Sequence, residues 1–242
     1  MNHIWRRSTR NIITALQAFL FTSIAATIIC FALFSIPRTT VTTYAGIYFI
    51  IASALGLVAF AIWYCVCLNQ FADAQANETD RSYAKKIFNG TLFYIIGSVF
   101  AAVISSVVAV STIGASMGAS MLMHSILPAT LTATVQLISY SIIRGGCDGL
   151  SMSASFNDNC KEGFINLRQS TTLMIVGTII NFVVILVTAI ITTQGIHGMQ
   201  LLEAISLISL ISSLAVLVLG IIAIVKLFSG WRKVSNNNPY EA

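Results

Sequence analysis

The chain alternates between long apolar stretches and short polar segments. Six stretches of about 23 to 25 residues contain no Lys, Arg, Asp or Glu well inside their ends, at approximately 12–36, 44–68, 87–111, 121–143, 171–193 and 205–228. A helix of about 20 apolar residues is long enough to cross the hydrocarbon core of a bilayer. The pattern therefore predicts an all-α, polytopic membrane bundle of six transmembrane helices in a single transmembrane domain, 1–242.

Composition agrees with this prediction and excludes a soluble globule. Apolar residues make up 57% of the 242 positions, and only 21 side chains are charged, 13 basic and 8 acidic. An ordinary soluble domain is about one-quarter charged.

The first apolar stretch is too long for the core of a signal peptide, which has about 7 to 15 apolar residues, so we expect it to be retained as a span.

The basic residues predict the orientation in the membrane, because cytoplasmic loops retain Lys and Arg during insertion. Arg38 alone is expected on the outer side. The other twelve basic residues fall in four groups of three near helix ends: Arg6, Arg7 and Arg10; Arg81, Lys85 and Lys86; Arg144, Lys161 and Arg168; Lys226, Arg232 and Lys233. Both termini are therefore predicted to be cytoplasmic. The groups would meet anionic lipid headgroups, and nucleic-acid binding is not expected.

Internal similarity indicates three tandem helical hairpins, at about 1–75, 76–155 and 156–242. The segments 95–99 (IIGSV) and 175–179 (IVGTI) lie 80 positions apart, each in the first half of a span. Both duplication and chance recurrence of two-span units would give this spacing. The lack of a cleavable signal and the clear cytoplasmic bias favour a bacterial inner membrane over a eukaryotic internal membrane.

Span 4 is the most polar span, and its polar side chains point in two directions. At 100° per residue, Ser125, Thr132, Gln136 and Ser139 share one face, and Thr130, Thr134 and Ser141 lie nearly opposite. This distribution predicts that span 4 lies at the centre of the bundle. One interpretation is a polar path completed by Gln17 and Asn181. The other is hydrogen bonding between helices, typically worth about 0.6 kcal/mol per contact.

Span 3 carries a face of small residues. Gly97, Ala101, Ser105 and Ala109 recur every four positions, a spacing that lets helix backbones approach closely. The face predicts packing inside the bundle, with a homo-oligomer seam as the alternative.

Residues that support catalysis or ion coupling are missing from the predicted spans. No ionisable side chain lies near the middle of any span, which argues against a proton relay. The segment 114–118 (GASMG) matches the Gly-x-Ser-x-Gly pattern, but it falls in a turn between membrane helices rather than between a strand and a helix. His124, His197 and Glu203 share a side without metal-ligand spacing. We therefore expect no catalytic site, metal or cofactor.

The five cysteines do not change this expectation. Cys30 and Cys65 are interpreted as small apolar packing residues within spans. Cys67, Cys147 and Cys160 are predicted to face the cytoplasm, where thiols stay reduced. Cys65 and Cys67 are two positions apart on a helix and point in nearly opposite directions, which prevents them from binding one zinc ion together.

The predicted cytoplasmic loops are the remaining surface for a specific function. The segment 69–86 has no Pro or Gly and is predicted to extend the flanking helices beyond the bilayer. The segment 144–170 starts with several Gly and Ser residues and is predicted to be irregular, with a short helix at about 159–168. The leading hypothesis is a non-enzymatic scaffold, assembly factor or subunit that contacts a membrane or cytosolic partner through 69–86. The alternative is a small transporter or channel for an uncharged or weakly polar solute along the span 4 face.

Overall fold

The structure is a computed structural model that describes residues 2–35, 40–111, 117–193 and 199–237. The described residues form six helices: α1 (Asn2–Ser35), α2 (Thr40–Asp73), α3 (Glu78–Ser111), α4 (Met117–Met152), α5 (Asp158–Thr193) and α6 (Met199–Asn236). All six are long and apolar enough to cross a membrane. The all-α fold with six candidate spans is therefore confirmed.

The helices form a closed ring in chain order. Each helix packs against its neighbours in the sequence, and α1 also packs against α6. Within the described residues, the backbone of α4 approaches only those of α3 and α5, so the prediction that span 4 lies at the centre is wrong. Its polar side chains lie against the two adjacent helices or are exposed on the surface of the bundle. The turns expected to join α1 to α2, α3 to α4 and α5 to α6 lie outside the described residues, and the hairpin arrangement stays a prediction.

One end of the ring holds the main hydrophobic core, and we call it the basic end because most basic residues lie there. All six helices contribute buried side chains to this core, including Ile12, Leu68, Ile87, Leu150, Phe164 and Val234. Burial of such side chains contributes about 1.5 to 3 kcal/mol each. The core therefore joins the start of α1, the end of α6 and the connections between α2 and α3 and between α4 and α5.

The two connections at the basic end are short because the helices extend into them. α2 ends at Asp73 and α3 begins at Glu78, which confirms that the segment 69–86 is largely helical. Asn77 caps α3, with its Oδ1 accepting from the Thr79 amide at 3.1 Å, and Asn157 caps α5 through the Cys160 amide at 2.8 Å. A side-chain oxygen at this position satisfies an amide that the helix leaves unpaired.

The expectation of an irregular segment after 144 is wrong. α4 continues through Gly145, Gly146 and Gly149 to Met152, and the predicted short helix at 159–168 is the first part of α5. Glycine disfavours a helix by about 1 kcal/mol per residue, so its presence here needs a compensating contact. That contact is the close approach of α3.

The α3/α4 interface is antiparallel and depends on glycine at four levels. A Cβ added to Gly146 would lie 2.7 Å from the Tyr83 carbonyl oxygen, and one added to Gly90 would lie 3.0 Å from the Ser139 carbonyl oxygen. Added Cβ atoms at Gly97 and Gly149 would meet the Val135 and Tyr83 side chains. The two backbones are therefore closer than any larger residue would permit.

The α5/α6 interface repeats this arrangement with fewer glycines. Gly163 and Gly230 face each other, and a Cβ on either would lie 2.8 to 2.9 Å from the carbonyl oxygen of the other. Further along the same interface, the buried Ser170 hydroxyl donates to the Ala223 carbonyl oxygen at 2.7 Å. Small and hydroxyl-bearing residues thus bring both helix pairs into backbone contact.

Candidate functional site

Five aromatic side chains fill the interior of the helix ring at the basic end. Phe71 of α2 lies between the rings of Trp5, Phe164 and Trp231, with centroid distances of 4.9, 6.4 and 5.4 Å. Phe156, in the connection after α4, lies 5.8 Å from Trp5 and 5.2 Å from Phe164. Their relative accessibilities are between 0% and 4%. This aromatic core fills the space that a solute would have to cross at this end.

Three ion pairs connect adjacent helices around the aromatic core. Arg81 and Asp73 join α3 to α2, Arg168 and Asp148 join α5 to α4, and Lys233 and Glu162 join α6 to α5, at N–O distances of 2.5 to 2.6 Å. All six side chains are at least one-third exposed, and pairs of this kind contribute about 0 to 1 kcal/mol. They orient the helix ends more than they stabilise them.

The candidate polar path is distributed over several surfaces. Thr132 and Asn181 are exposed, whereas Ser139 is buried and donates to the Val135 carbonyl oxygen of its own helix at 2.6 Å. Gln17 lies on α1, which contacts α2 and α6 in the described residues and not α4 or α5. The side chain of Ser125 lies outside the described part of the chain. The structure therefore does not bring Gln17 together with the polar residues of α4.

Among the residues of this set whose side chains the structure describes, Gln136 makes a hydrogen-bond contact that joins two helices. Its Oε1 lies 3.2 Å from the Thr178 hydroxyl on α5, and the same hydroxyl lies 2.9 Å from the Met174 carbonyl oxygen. A hydroxyl has one proton, so the two acceptors share it. This geometry corresponds to a helix-packing hydrogen bond of modest strength.

We expect replacement of Gln136 with Leu to lower the free energy of unfolding by about 0.6 kcal/mol, because one shared interhelical hydrogen bond is lost. Unfolding by SDS in mixed micelles would measure the change. Thr178→Val is the matched partner variant, and the double variant should lose little more than either single variant. A much larger loss for Gln136→Leu would mean that the amide has further partners.

The small-residue face of α3 lies partly in the α3/α4 interface. Gly97 faces Val135 of α4, and an added Cβ would lie 2.6 Å from its Cγ1 atom. Ala101 is buried, and the half-buried Ser105 donates to the Ala101 carbonyl oxygen at 2.6 Å. The side chain of Ala109 is outside the described residues. At Gly97, therefore, the face serves packing within the chain.

In the part of the chain that the structure describes, no three His, Cys, Asp or Glu side chains are grouped closely enough to hold a metal ion. The side chains of His124 and His197 lie outside the described residues. Cys65, Cys67, Cys147 and Cys160 are free thiols buried in the structure. Three of them, Cys67, Cys147 and Cys160, belong to the core at the basic end.

The exposed face at the start of α3 forms a shallow basic groove. A volume of about 440 Å³ is lined by Glu78, Arg81, Ser82, Lys85, Lys86 and Asn89. Lys86 Nζ lies 5.1 Å from the ring centroid of Tyr83. The adjoining Ala74 and Gln75 are buried, so within the segment 69–86 the groove is formed by the start of α3.

Comparison with protein families, with characterised proteins and with solved structures finds no match for this chain. The described residues form a six-helix bundle whose helices are long and apolar enough to span a membrane, the class of an integral membrane protein.

Proposed function

We propose that this chain is a non-enzymatic membrane protein that acts by interaction, as a scaffold, assembly factor or subunit of a larger membrane complex. The observation that carries the proposal is the contrast between the two parts of the ring. The basic end is filled by a buried aromatic core. In the most apolar window of each span, by contrast, only 6% to 17% of the residues are buried.

This contrast leaves large apolar surfaces available within the membrane. Exposed residues of α6 include Leu207, Leu210, Leu214, Leu217 and Ile221. Lipid acyl chains cover such surfaces, and so do the spans of another membrane protein. A bundle fixed at one end and accessible along its spans is suited to binding neighbours in the bilayer.

The proposed docking surface outside the bilayer is the basic groove of α3. Arg81 is paired with Asp73. The two lysines of the groove, Lys85 and Lys86, favour a partner with an acidic segment, since complementary charge orients an encounter. The bias of the basic residues supports a cytoplasmic position for this groove and a bacterial inner membrane as the location. A homo-oligomer is included in the proposal, because a second copy also qualifies as a membrane partner.

Photocrosslinking tests this proposal. A benzoylphenylalanine residue at the exposed position Ser82 lies within the groove, and Ser155, exposed in the connection between α4 and α5, provides the control position. We expect a discrete crosslinked species from position 82 and none from position 155. Doubling of the mass would identify a second copy of the chain, and any other discrete mass would identify a different partner.

A small transporter for an uncharged solute is the rival function, favoured by the exposed polar side chains Thr132 and Asn181 within α4 and α5. The variants Thr132→Val, Gln136→Leu and Asn181→Leu separate the two proposals. If glycerol or urea uptake into cells producing the chain is lost in these variants at unchanged expression, and position 82 gives no crosslink, the interaction proposal is overturned.

A further inference from the structure

A cleft of about 1160 Å³ separates α1 from α6 at the basic end. Four of its lining side chains are basic, namely Arg6, Arg10, Arg232 and Lys233. None of the described residues that line it is acidic. The cleft therefore concentrates positive charge in a concave space between two helices, which attracts anions more strongly than the same charges on a flat surface would.

The lining residues are arranged by depth along the two antiparallel helices. The hydroxyl groups of Thr9 and Ser235 lie 3.3 Å apart, at a level where α1 and α6 meet. Arg10 and Arg232 lie close to this level, whereas Ile13, Gln17 and Phe228 lie further towards the spans. The cleft thus has a cationic mouth and a less polar inner part, an arrangement that fits an amphiphile with an anionic headgroup.

The chemistry of the mouth favours a phosphate group. Lys233 is partly neutralised by Glu162 at 2.5 Å, whereas Arg10 and Arg232 are exposed. Guanidinium groups bind phosphate oxygens through two parallel hydrogen bonds. Ser229 and Asn236 also line the cleft and can supply further donors, whereas the Thr14 hydroxyl donates to the Arg10 carbonyl oxygen at 3.1 Å. Basic pockets between transmembrane helices at a cytoplasmic surface bind phospholipid headgroups.

We propose that the α1/α6 cleft binds a phosphate-bearing anion, supplied by the headgroup of an anionic phospholipid or by free phosphate. The α1/α6 interface is the least extensive of the six helix interfaces in the described ring. An anion held by Arg10 on one side and Arg232 on the other joins the two helices at this interface. This inference does not depend on the scaffold proposal, because it concerns the interface between α1 and α6 and not the binding of a protein partner.

Thermal unfolding of the purified full chain in a nonionic detergent tests the proposal. Phosphatidylglycerol, phosphatidylcholine or inorganic phosphate is added to the wild type, to Arg10→Gln/Arg232→Gln and to the control Lys85→Gln/Lys86→Gln. The control removes the same charge from the α3 groove. We expect phosphatidylglycerol to raise the Tm of the wild type and of the control, and the arginine variant to lose most of this shift.

Native mass spectrometry provides a second readout that does not depend on stability. Bound phosphatidylglycerol should be retained by the wild type and the lysine variant and reduced in the arginine variant. A shift with inorganic phosphate that also requires the two arginines would support the site and assign it to free phosphate. The proposal is overturned if phosphatidylcholine acts as well as phosphatidylglycerol, or if both double variants lose the effect equally.

Discussion

Replacement of Phe71 with Ala is expected to lower the free energy of unfolding by about 3 to 5 kcal/mol, the cost of truncating a fully buried aromatic side chain. Phe71 is completely buried and contacts the rings of Trp5, Phe164 and Trp231. Its removal leaves a cavity where α1, α2, α5 and α6 meet. Unfolding of the purified protein by SDS in mixed micelles measures the loss.

Phe100→Ala is the matched control for this prediction. Phe100 lies within the span of α3 and is 62% exposed, so its truncation should change stability far less than that of Phe71. Similar losses for the two variants would mean that the aromatic core at the basic end is not the main source of stability.

The second large effect is expected for Gly146→Ala. The added methyl group would lie 2.7 Å from the Tyr83 carbonyl oxygen and 3.1 Å from the Ile87 amide nitrogen. A backbone atom cannot move aside by a rotamer change, so α3 and α4 have to separate, and overpacking of this kind costs about 1 to 3 kcal/mol. We expect the melting temperature in detergent to fall accordingly.

The neighbouring residue provides a control in the same turn of the helix. A Cβ on Gly145 would meet nothing within 4 Å. Gly145→Ala should therefore leave stability unchanged or raise it by up to about 1 kcal/mol through helix propensity. Destabilisation by both substitutions, or by neither, would contradict the close α3/α4 contact.

The spans could be predicted from the sequence because burial in a bilayer requires long, uninterrupted apolar segments. The extension of α2 and α3 into the segment 69–86 was also predictable, since good helix formers without Pro or Gly leave the helix intact. Both features depend on the residues of a single segment, so they can be recognised in one amino-acid sequence.

Contacts between helices were predictable only in part. The glycines at 145, 146 and 149 predict irregular structure, because their low helix propensity is visible in the sequence and the approach of Tyr83 is not. The polar pattern groups Gln17 with Gln136, but α1 packs beside α2 and α6. Helical periodicity gives the direction of a side chain on its own helix and does not identify the helix that it faces.

The sequence does not reveal the α1/α6 cleft, for a related reason. Its basic residues fit the charge pattern of membrane topology, and those of α1 and α6 are separated by more than 200 positions in the chain. The sequence contains one sign of the cleft, namely a group of basic residues on the first helix and another on the last. This sign indicates a shared site only once α1 and α6 are known to be in contact.

Closure of the ring between α1 and α6 is the central claim, and disulfide trapping tests it most directly. The Thr9 and Ser235 hydroxyl groups are 3.3 Å apart, so the two side chains meet across the α1/α6 interface, and cysteines at both positions would be close neighbours; a disulfide forms between cysteines whose Cα atoms lie within about 7 Å. In a background without the five native cysteines, Thr9→Cys/Ser235→Cys should give an intramolecular crosslink on mild oxidation. Thr9→Cys/Asn181→Cys, which involves helices that are not in contact, should not. Absence of the first crosslink, with both variants folded, would contradict the closed ring.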